Sequence, residues 1–263
     1  MRSLALVAAV ALLSGCASSV DRNVVSDLAP TGKLRAAINY GNPVLASRDA
    51  NGRPKGVSVD LARELAKRLG VPLEPVTFDA AGKVVAAGRQ GVWDIAFVAL
   101  DPKRGAEIEQ STPYVQIEGA YLVREDSGLK QNSDVDRPGI RVVVGRNSAY
   151  DLYLTRTLKQ AQIVRTPTSA AVVETFMKDR YDVAAGVKQQ LEMDAKKTSG
   201  VRMLPGRFMV INQAMASQKG KQAGARYVRD FIEEMKASGF VAQALERHGI
   251  QGAAVAPAGE ALE

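Results

Sequence analysis

Cysteine and histidine are almost missing from this 263-residue chain: Cys16 and His248 are the only ones. One thiol excludes an internal disulfide framework, and one histidine with one cysteine leaves no cluster of metal ligands. Aromatic residues make up only 5%, and the basic residues behind the formal charge of +7 are scattered among acids. No stacking platform or basic stripe for nucleic acid results. No repeat or low-complexity block interrupts the sequence. What remains is ordinary globular composition, 46% hydrophobic and 24% charged, enough for one large domain or two small lobes. The positive excess would help draw in an anionic small molecule.

The amino terminus carries an export pattern. Met1-Arg2 is a short positive region, residues 3–12 are an apolar core, and Leu13-Ser14-Gly15-Cys16 is a small-residue cleavage site, so residues 1–15 read as a signal peptide. The apolar core is too short to span a membrane. Leu-Ser-Gly-Cys also resembles the lipobox of bacterial lipoproteins, which implies that Cys16 is acylated and becomes the new amino terminus. Residues 16–32 then read as a tether, and the exported body as periplasmic and lipid-anchored to a bacterial membrane.

The stretch around which the chain is organised is 93–104, Trp-Asp-Ile-Ala-Phe-Val-Ala-Leu-Asp-Pro-Lys-Arg. Its apolar run from Ile95 to Leu100 suits a strand buried on both faces. Asp101-Pro102 then supplies a helix N-cap and the residue favoured at the first helical position. Arg104 would therefore stand at a helix start beyond the carboxyl end of a strand, where open α/β sheets bind ligands. Either this is an anion seat, with Arg104 forming a two-pronged bond to a carboxylate, or it is a solvated basic turn.

Around it, strands are expected at 33–39, 72–78, 119–123, 140–144, 162–165, 182–187 and 207–215. Helices are expected at 58–69, with Leu61, Leu65 and Leu69 on one face, at 80–91, 148–158, after Ser169, at 188–197 and around 227–245. A hairpin turn is expected at Asp49-Ala-Asn-Gly52, a short helical stretch leading from Arg104 to Ser111-Thr-Pro-Tyr114, and a lobe boundary in the polar break near 127–136. The alternation of strands and helices predicts parallel sheet units. The Ala/Gly/Pro tail at 251–263 is expected to be mobile.

Five segments, in order, resemble the family 3 extracellular solute-binding proteins, the polar amino-acid receptors of ABC importers. They are Asn51-Gly-Arg-Pro-Lys-Gly-Val-Ser-Val-Asp60, Gly91-Val-Trp-Asp94, Asp101-Pro-Lys-Arg104, Ser111-Thr-Pro-Tyr114 and Tyr181-Asp182. The resemblance covers about 33–249. It implies a type II periplasmic-binding-protein fold, two α/β lobes with mostly parallel sheets joined by two crossover strands. Lobe 1 would comprise 33–123 with 213–250, and lobe 2 would comprise 124–212. It further implies a monomer that traps a small anionic or zwitterionic solute by lobe closure and delivers it to a permease with its ATPase, with no cofactor.

Carried over to this sequence, the resemblance places Arg104 on the ligand carboxylate and Asn147 and Ser148 in the second-lobe loop that completes the grip. Tyr40 and Asn42 fall in a loop that covers the ligand. Two departures stand out. Phe97-Val98-Ala99-Leu100 occupies a stretch where amino-acid receptors carry hydroxyl residues, which puts Leu100 among the expected contacts. Gly186-Val187-Lys188 stands where the family places an acid for the ligand ammonium. An unpaired buried ammonium costs several kcal/mol, so the expected ligand is an organic anion without a nearby amine. Lys188 either faces a second anionic group or is the solvated start of a helix.

Two other readings compete. Cyclohexadienyl dehydratases also resemble these receptors, but they need a general acid, and the candidates here are poor. His248 lies in the last helix, Asp101 reads as a cap and Asp182 as structural. A ligand-sensing lipoprotein without a permease shares every feature of the first reading.

Overall fold

Strand β5 (Ile95–Ala99) is buried at every position, and layers of sheet and helix surround it. The computed structural model describes residues 20–259. In its first half the elements are α1 (Arg22–Leu28), β1 (Leu34–Asn39), β2 (Ser47–Arg48), β3 (Pro54–Lys55), α2 (Val57–Leu69), β4 (Leu73–Phe78), α3 (Ala81–Gly88), β5, α4 (Pro102–Gly105) and β6 (Ile108–Arg124). There follow β7 (Arg141–Gly145), α5 (Ala149–Thr157), β8 (Gln162–Thr166), α6 (Val172–Lys178), β9 (Val183–Val187), α7 (Lys188–Ala195), β10 (Val201–Met203), β11 (Met209–Gln218), α8 (Gln222–Ala237), α9 (Phe240–Arg247) and β12 (Ala254–Val255).

The main sheet runs β4-β1-β5-β11-β6-β9-β7-β8, with β10 and β12 added on β6. Strand β1 is parallel to β4 and β5, and β7 is parallel to β8 and β9. These two parallel sets are the sheets of the two lobes. Between them β11 pairs antiparallel with β5 and β6, and β6 pairs antiparallel with β9. The chain thus crosses out along β6 and returns along β11, the two-lobed arrangement expected from sequence. Helix α2 buries Leu61 and Leu65 as its spacing predicts, and Gly70 ends it in the left-handed conformation (φ 68°), which glycine adopts without a Cβ penalty.

Each lobe carries the same ion-pair device. In lobe 1 the buried Asp94 accepts from the backbone N–H of Arg35 at 2.8 Å and from its guanidinium at 3.0 and 2.6 Å. In lobe 2 Asp182 accepts from the backbone N–H of Arg141 at 2.9 Å and from its Nε at 3.0 Å. Each aspartate ties the start of a strand to its parallel neighbour. The Gly91-Val-Trp-Asp94 and Tyr181-Asp182 segments therefore hold the sheets together. Trp93 adds to this, fully buried and donating from Nε1 to the Val84 carbonyl at 2.8 Å.

Three expectations need correction. The tether at 16–32 contains helix α1, whose Leu28 is fully buried; Gly224 of α8 admits it, since a Cβ there would lie 2.8 Å from Leu28. The strand expected at 119–123 is the end of a longer one, because Ser111-Thr-Pro-Tyr114 before it is part of the continuous strand β6. The tail is docked in part: β12 pairs with β6, Ala256 is buried, and Lys236 Nζ donates to the Pro257 carbonyl at 2.8 Å. The expected signal peptide and Cys16 lie outside the described residues.

Candidate functional site

Arg104 is delivered by the local chemistry that the sequence suggests. Asp101 caps α4 by accepting from Lys103 N–H at 2.9 Å, with Pro102 in the first turn. Four residues of helix turn Arg104 back under the end of β5, where it is 3% exposed. Its Nη1 donates to the Ala99 carbonyl at 2.9 Å and its Nη2 to the Asn147 carbonyl at 2.9 Å. Ala99 belongs to lobe 1 and Asn147 to the β7–α5 loop of lobe 2, so one guanidinium spans the two lobes. Among the described residues no carboxylate pairs with it. Burial pushes its pKa down to about 10, and it remains a cation at neutral pH. A guanidinium has five N–H donors, and these two bonds leave the others for a ligand.

The lobe 2 loop is held from behind. Asn147 has φ 56°, a left-handed conformation that Asn tolerates and a β-branched residue does not. Its N–H donates to Asp151 at 2.7 Å, and Asp151 in turn takes Arg165 Nε at 2.9 Å. On the facing lobe a Cβ at Gly82 would lie 2.6 Å from the Asn147 Cβ. The glycine that weakens α3 is therefore what lets the lobes meet.

Behind Arg104 the lobes close on a small, partly open cavity of about 40 Å³, below the usual size of ligand sites. Asn42 and Ser148 line it, as the sequence suggests, together with Asn39, Tyr150, Ser169 and Gln213. Arg104 is the one charged residue in that lining. Ser148 caps α5, accepting from Asp151 N–H at 3.0 Å, and Tyr150 donates its hydroxyl to Ser169 Oγ at 2.8 Å. The Asn42 side-chain oxygen is buried and has no donor among the described residues. Gln213 was the least visible from sequence; its only signal is the polar pair Asn212-Gln213 inside an otherwise apolar returning strand.

The other expected contacts lie elsewhere. Tyr40 packs its ring under the Arg48 guanidinium at 4.3 Å and does not line the cavity. Asn147 contributes its backbone carbonyl to Arg104, and it borders an adjoining space that Arg104 also lines, with Gly82, Lys103 and Glu107. Leu100 borders a groove against α8. Lys188 is paired with Glu118 of β6 at 2.9 Å, and Arg207 reaches the same carboxylate at 2.8 Å. Both cations hold Glu118 below the ordinary carboxylate range. Lys188 thus has its counter-charge within the protein, on a crossover strand, and is not directed at a second anionic group of a ligand.

A second contact joins the lobes without touching the cavity. Arg156 of α5 pairs with the buried Asp101 at 2.8 Å. Arg156→Ala removes about 1 kcal/mol from the closed arrangement, so it is expected to raise Kd about fivefold, chiefly through faster release. Stopped-flow dissociation checks this, and an unchanged off-rate refutes the role.

Comparison with known proteins agrees with the fold. The sequence is 27% identical over 241 residues, 89% of each chain, to the L-cystine-binding protein TcyJ of Escherichia coli (strain K12). It is 23% identical over 184 residues, 67% of each chain, to the cyclohexadienyl dehydratase of Pseudomonas aeruginosa. Its structure superposes with a TM-score of 0.74 on the solute receptor for L-cysteine of Neisseria gonorrhoeae, at 22% identity, covering 86% of this chain and 92% of that one. Residues 34–251 match the description of one family along nearly the whole described length: this chain belongs to the bacterial extracellular solute-binding proteins, family 3.

Proposed function

We propose that this protein is the solute receptor of an ABC importer, held at the membrane through Cys16, and that it captures a small carboxylate-bearing solute between its lobes. One observation carries the reading: a buried guanidinium with no carboxylate partner among the described residues is the one charge lining the cavity. Such a cation is costly to bury alone, by several kcal/mol, and a bidentate carboxylate supplies the missing charge in the geometry that Arg prefers. Because Arg104 also bonds both lobes, neutralising it favours the closed state over an open one in which water solvates it. Ligand binding then shifts the population toward closure, and the closed form is what a permease reads.

Two of the three named relatives bind cystine and cysteine, which favours an amino-acid-type solute. The cavity favours a narrower class. No acid lines it, so an ammonium would be a second uncompensated cation beside Arg104. An organic anion without an amine suits this lining better. The dehydratase relative keeps an enzymatic reading in view, but the lining also offers no Asp, Glu or His as general acid, and capture without chemistry fits these residues better. Thermal shift with a panel of carboxylates, each beside its primary amide, tests the reading. Stabilisation by acids and not by amides is expected, and equal stabilisation by both refutes it. Loss of uptake of the same solute on deletion of the gene distinguishes import from ligand sensing alone.

A further inference from the structure

The carboxyl-terminal segment touches both lobes. Gly249 and Ile250 are bonded back to α9 of lobe 1, their N–H groups donating to the Glu246 and Leu245 carbonyls at 2.9 Å each. From Ala254 onward the chain is held by lobe 1 again. Strand β12 pairs with Val115 and Gln116 of β6, Ala256 N–H donates to the Tyr114 carbonyl at 3.1 Å, and Gly259 N–H donates to Glu233 at 3.2 Å. Residues 251–253 are therefore a short bridge fixed to lobe 1 at both ends, and what they meet is lobe 2. Gln189 of α7 donates from Nε2 to the Gln251 carbonyl at 3.2 Å, and a Cβ at Gly252 would lie 3.1 Å from the same nitrogen. At Gln116 strand β11 occupies one edge of β6 and β12 the other. On that second edge β9 of lobe 2 takes over at Gly119, so Ile117 and Glu118 form the joint that the bridge spans. Val187, just before Gln189, lines the ligand cavity, which puts the contact on the cleft side of this joint. Rotation that opens the cleft pulls Gln189 away from the bridge.

We propose that this bridge is a strap across the hinge, in contact with lobe 2 only when the cleft is closed, and that Gly252 is the stop against which lobe 2 comes to rest. The strap fixes a position more than it adds strength. Gln189 Oε1 is buried with no donor among the described residues, a penalty that offsets its one hydrogen bond. Opening lets water reach the amide, so the strap yields. Glycine is required at 252 for two reasons. Its φ is 71°, which a residue with a side chain adopts at a cost, and a side chain there would hold Gln189, and lobe 2 with it, short of the closed position. The strap is separate from the carboxylate seat and does not depend on the chemistry of the solute.

The test needs no solute. Gln189→Cys and Gly252→Cys are combined with Cys16→Ser, which removes the one native thiol, and the purified mature protein is oxidised in dilute solution with copper phenanthroline. Only cysteines in direct contact can bridge. The disulfide is expected to form and to lower the radius of gyration, read by small-angle X-ray scattering, to that of the closed structure, with dithiothreitol restoring the wild-type value. Gly249→Cys in place of Gly252→Cys is the control. Gly249 has a similar φ of 65° and nothing within 4 Å of its Cβ position, so this pair is expected to stay reduced. Should the Gly252→Cys chain not melt cooperatively, Gln251→Cys takes its place, cross-linked by a short bis-electrophile with the same compaction expected. Failure of the contact pair to cross-link in a folded chain, a radius that cross-linking leaves unchanged, or equal cross-linking by the control pair overturns the proposal. Because the reading is taken without solute, an error about what Arg104 binds leaves this result untouched.

Discussion

Arg104→Gln is expected to abolish ligand-induced thermal stabilisation while the unliganded protein melts cooperatively, at a temperature near or above that of the wild type. The two halves of this outcome have the same cause. Truncating one partner of a buried charge pair costs about 2–5 kcal/mol of binding, roughly thirty-fold to several thousand-fold in Kd. In the closed form without ligand, however, the guanidinium is a desolvated cation with no carboxylate partner among the described residues. Its removal relieves a penalty as well as deleting two hydrogen bonds. The Ala99 carbonyl keeps a second donor, Gln110 Nε2 at 3.1 Å, so only the Asn147 carbonyl loses its partner. A residue retained for binding at a cost to the empty state is the stability–function trade-off seen at many sites. A variant that binds ligand normally would contradict the role. So would a large drop in the free protein's melting temperature, because it would make Arg104 a structural residue.

Asp94→Ala is expected to produce the largest loss of stability, and Asp182→Ala a much smaller one, although both aspartates accept from the backbone N–H and Nε of their arginine. The Asp94 side chain is 3% exposed and its Arg35 partner 23%, against 26% and 40% for Asp182 and Arg141. Breaking a buried pair by removing one partner costs about 3–5 kcal/mol, which for a chain of this size lowers Tm by roughly 6–20 °C. The half-exposed pair is screened by water and is worth about 1 kcal/mol, a few degrees at most. Scanning calorimetry of both variants decides the matter. Equal shifts would mean that burial does not set the strength of this repeated device. Because β5 ends at the Arg104 corner, the Asp94 variant is also expected to weaken ligand binding, with the Asp182 variant nearly unaffected.

These consequences were partly legible in the sequence. Helix α2 and strand β5 follow from apolar spacing, because in each case a long pattern and a clear terminator agree. Arg104 follows from a run of apolar residues, an N-cap acid and a proline. The failures have physical reasons of their own. Helix α1 has seven residues, too few for periodicity to register, and its stability comes from docking on α8. Strand β6 hides behind Pro113, which lacks the N–H a ladder needs. The structure accommodates it opposite Ala214 at a register shift of β11, the kind of irregularity where strands tolerate proline. The tail pairs through its backbone alone, so Ala, Gly and Pro gave no side-chain signal. Lys188 was misjudged because Glu118 lies 70 residues away in sequence and 2.9 Å away in space. The inter-lobe role of Gly82 was likewise invisible, since a helical glycine reads as weakness until its neighbour across the cleft is known.

The most direct measurement concerns the seat itself. Protein purified after export is denatured, the released small molecule is identified by mass spectrometry, and that compound and its primary amide are titrated into the refolded chain. A carboxylic acid is expected, bound at least thirty-fold more tightly than its amide, with that preference gone in Arg104→Gln. A released ligand without a carboxylate, or an acid and amide of equal affinity, would contradict the claim that the buried guanidinium is what captures the solute.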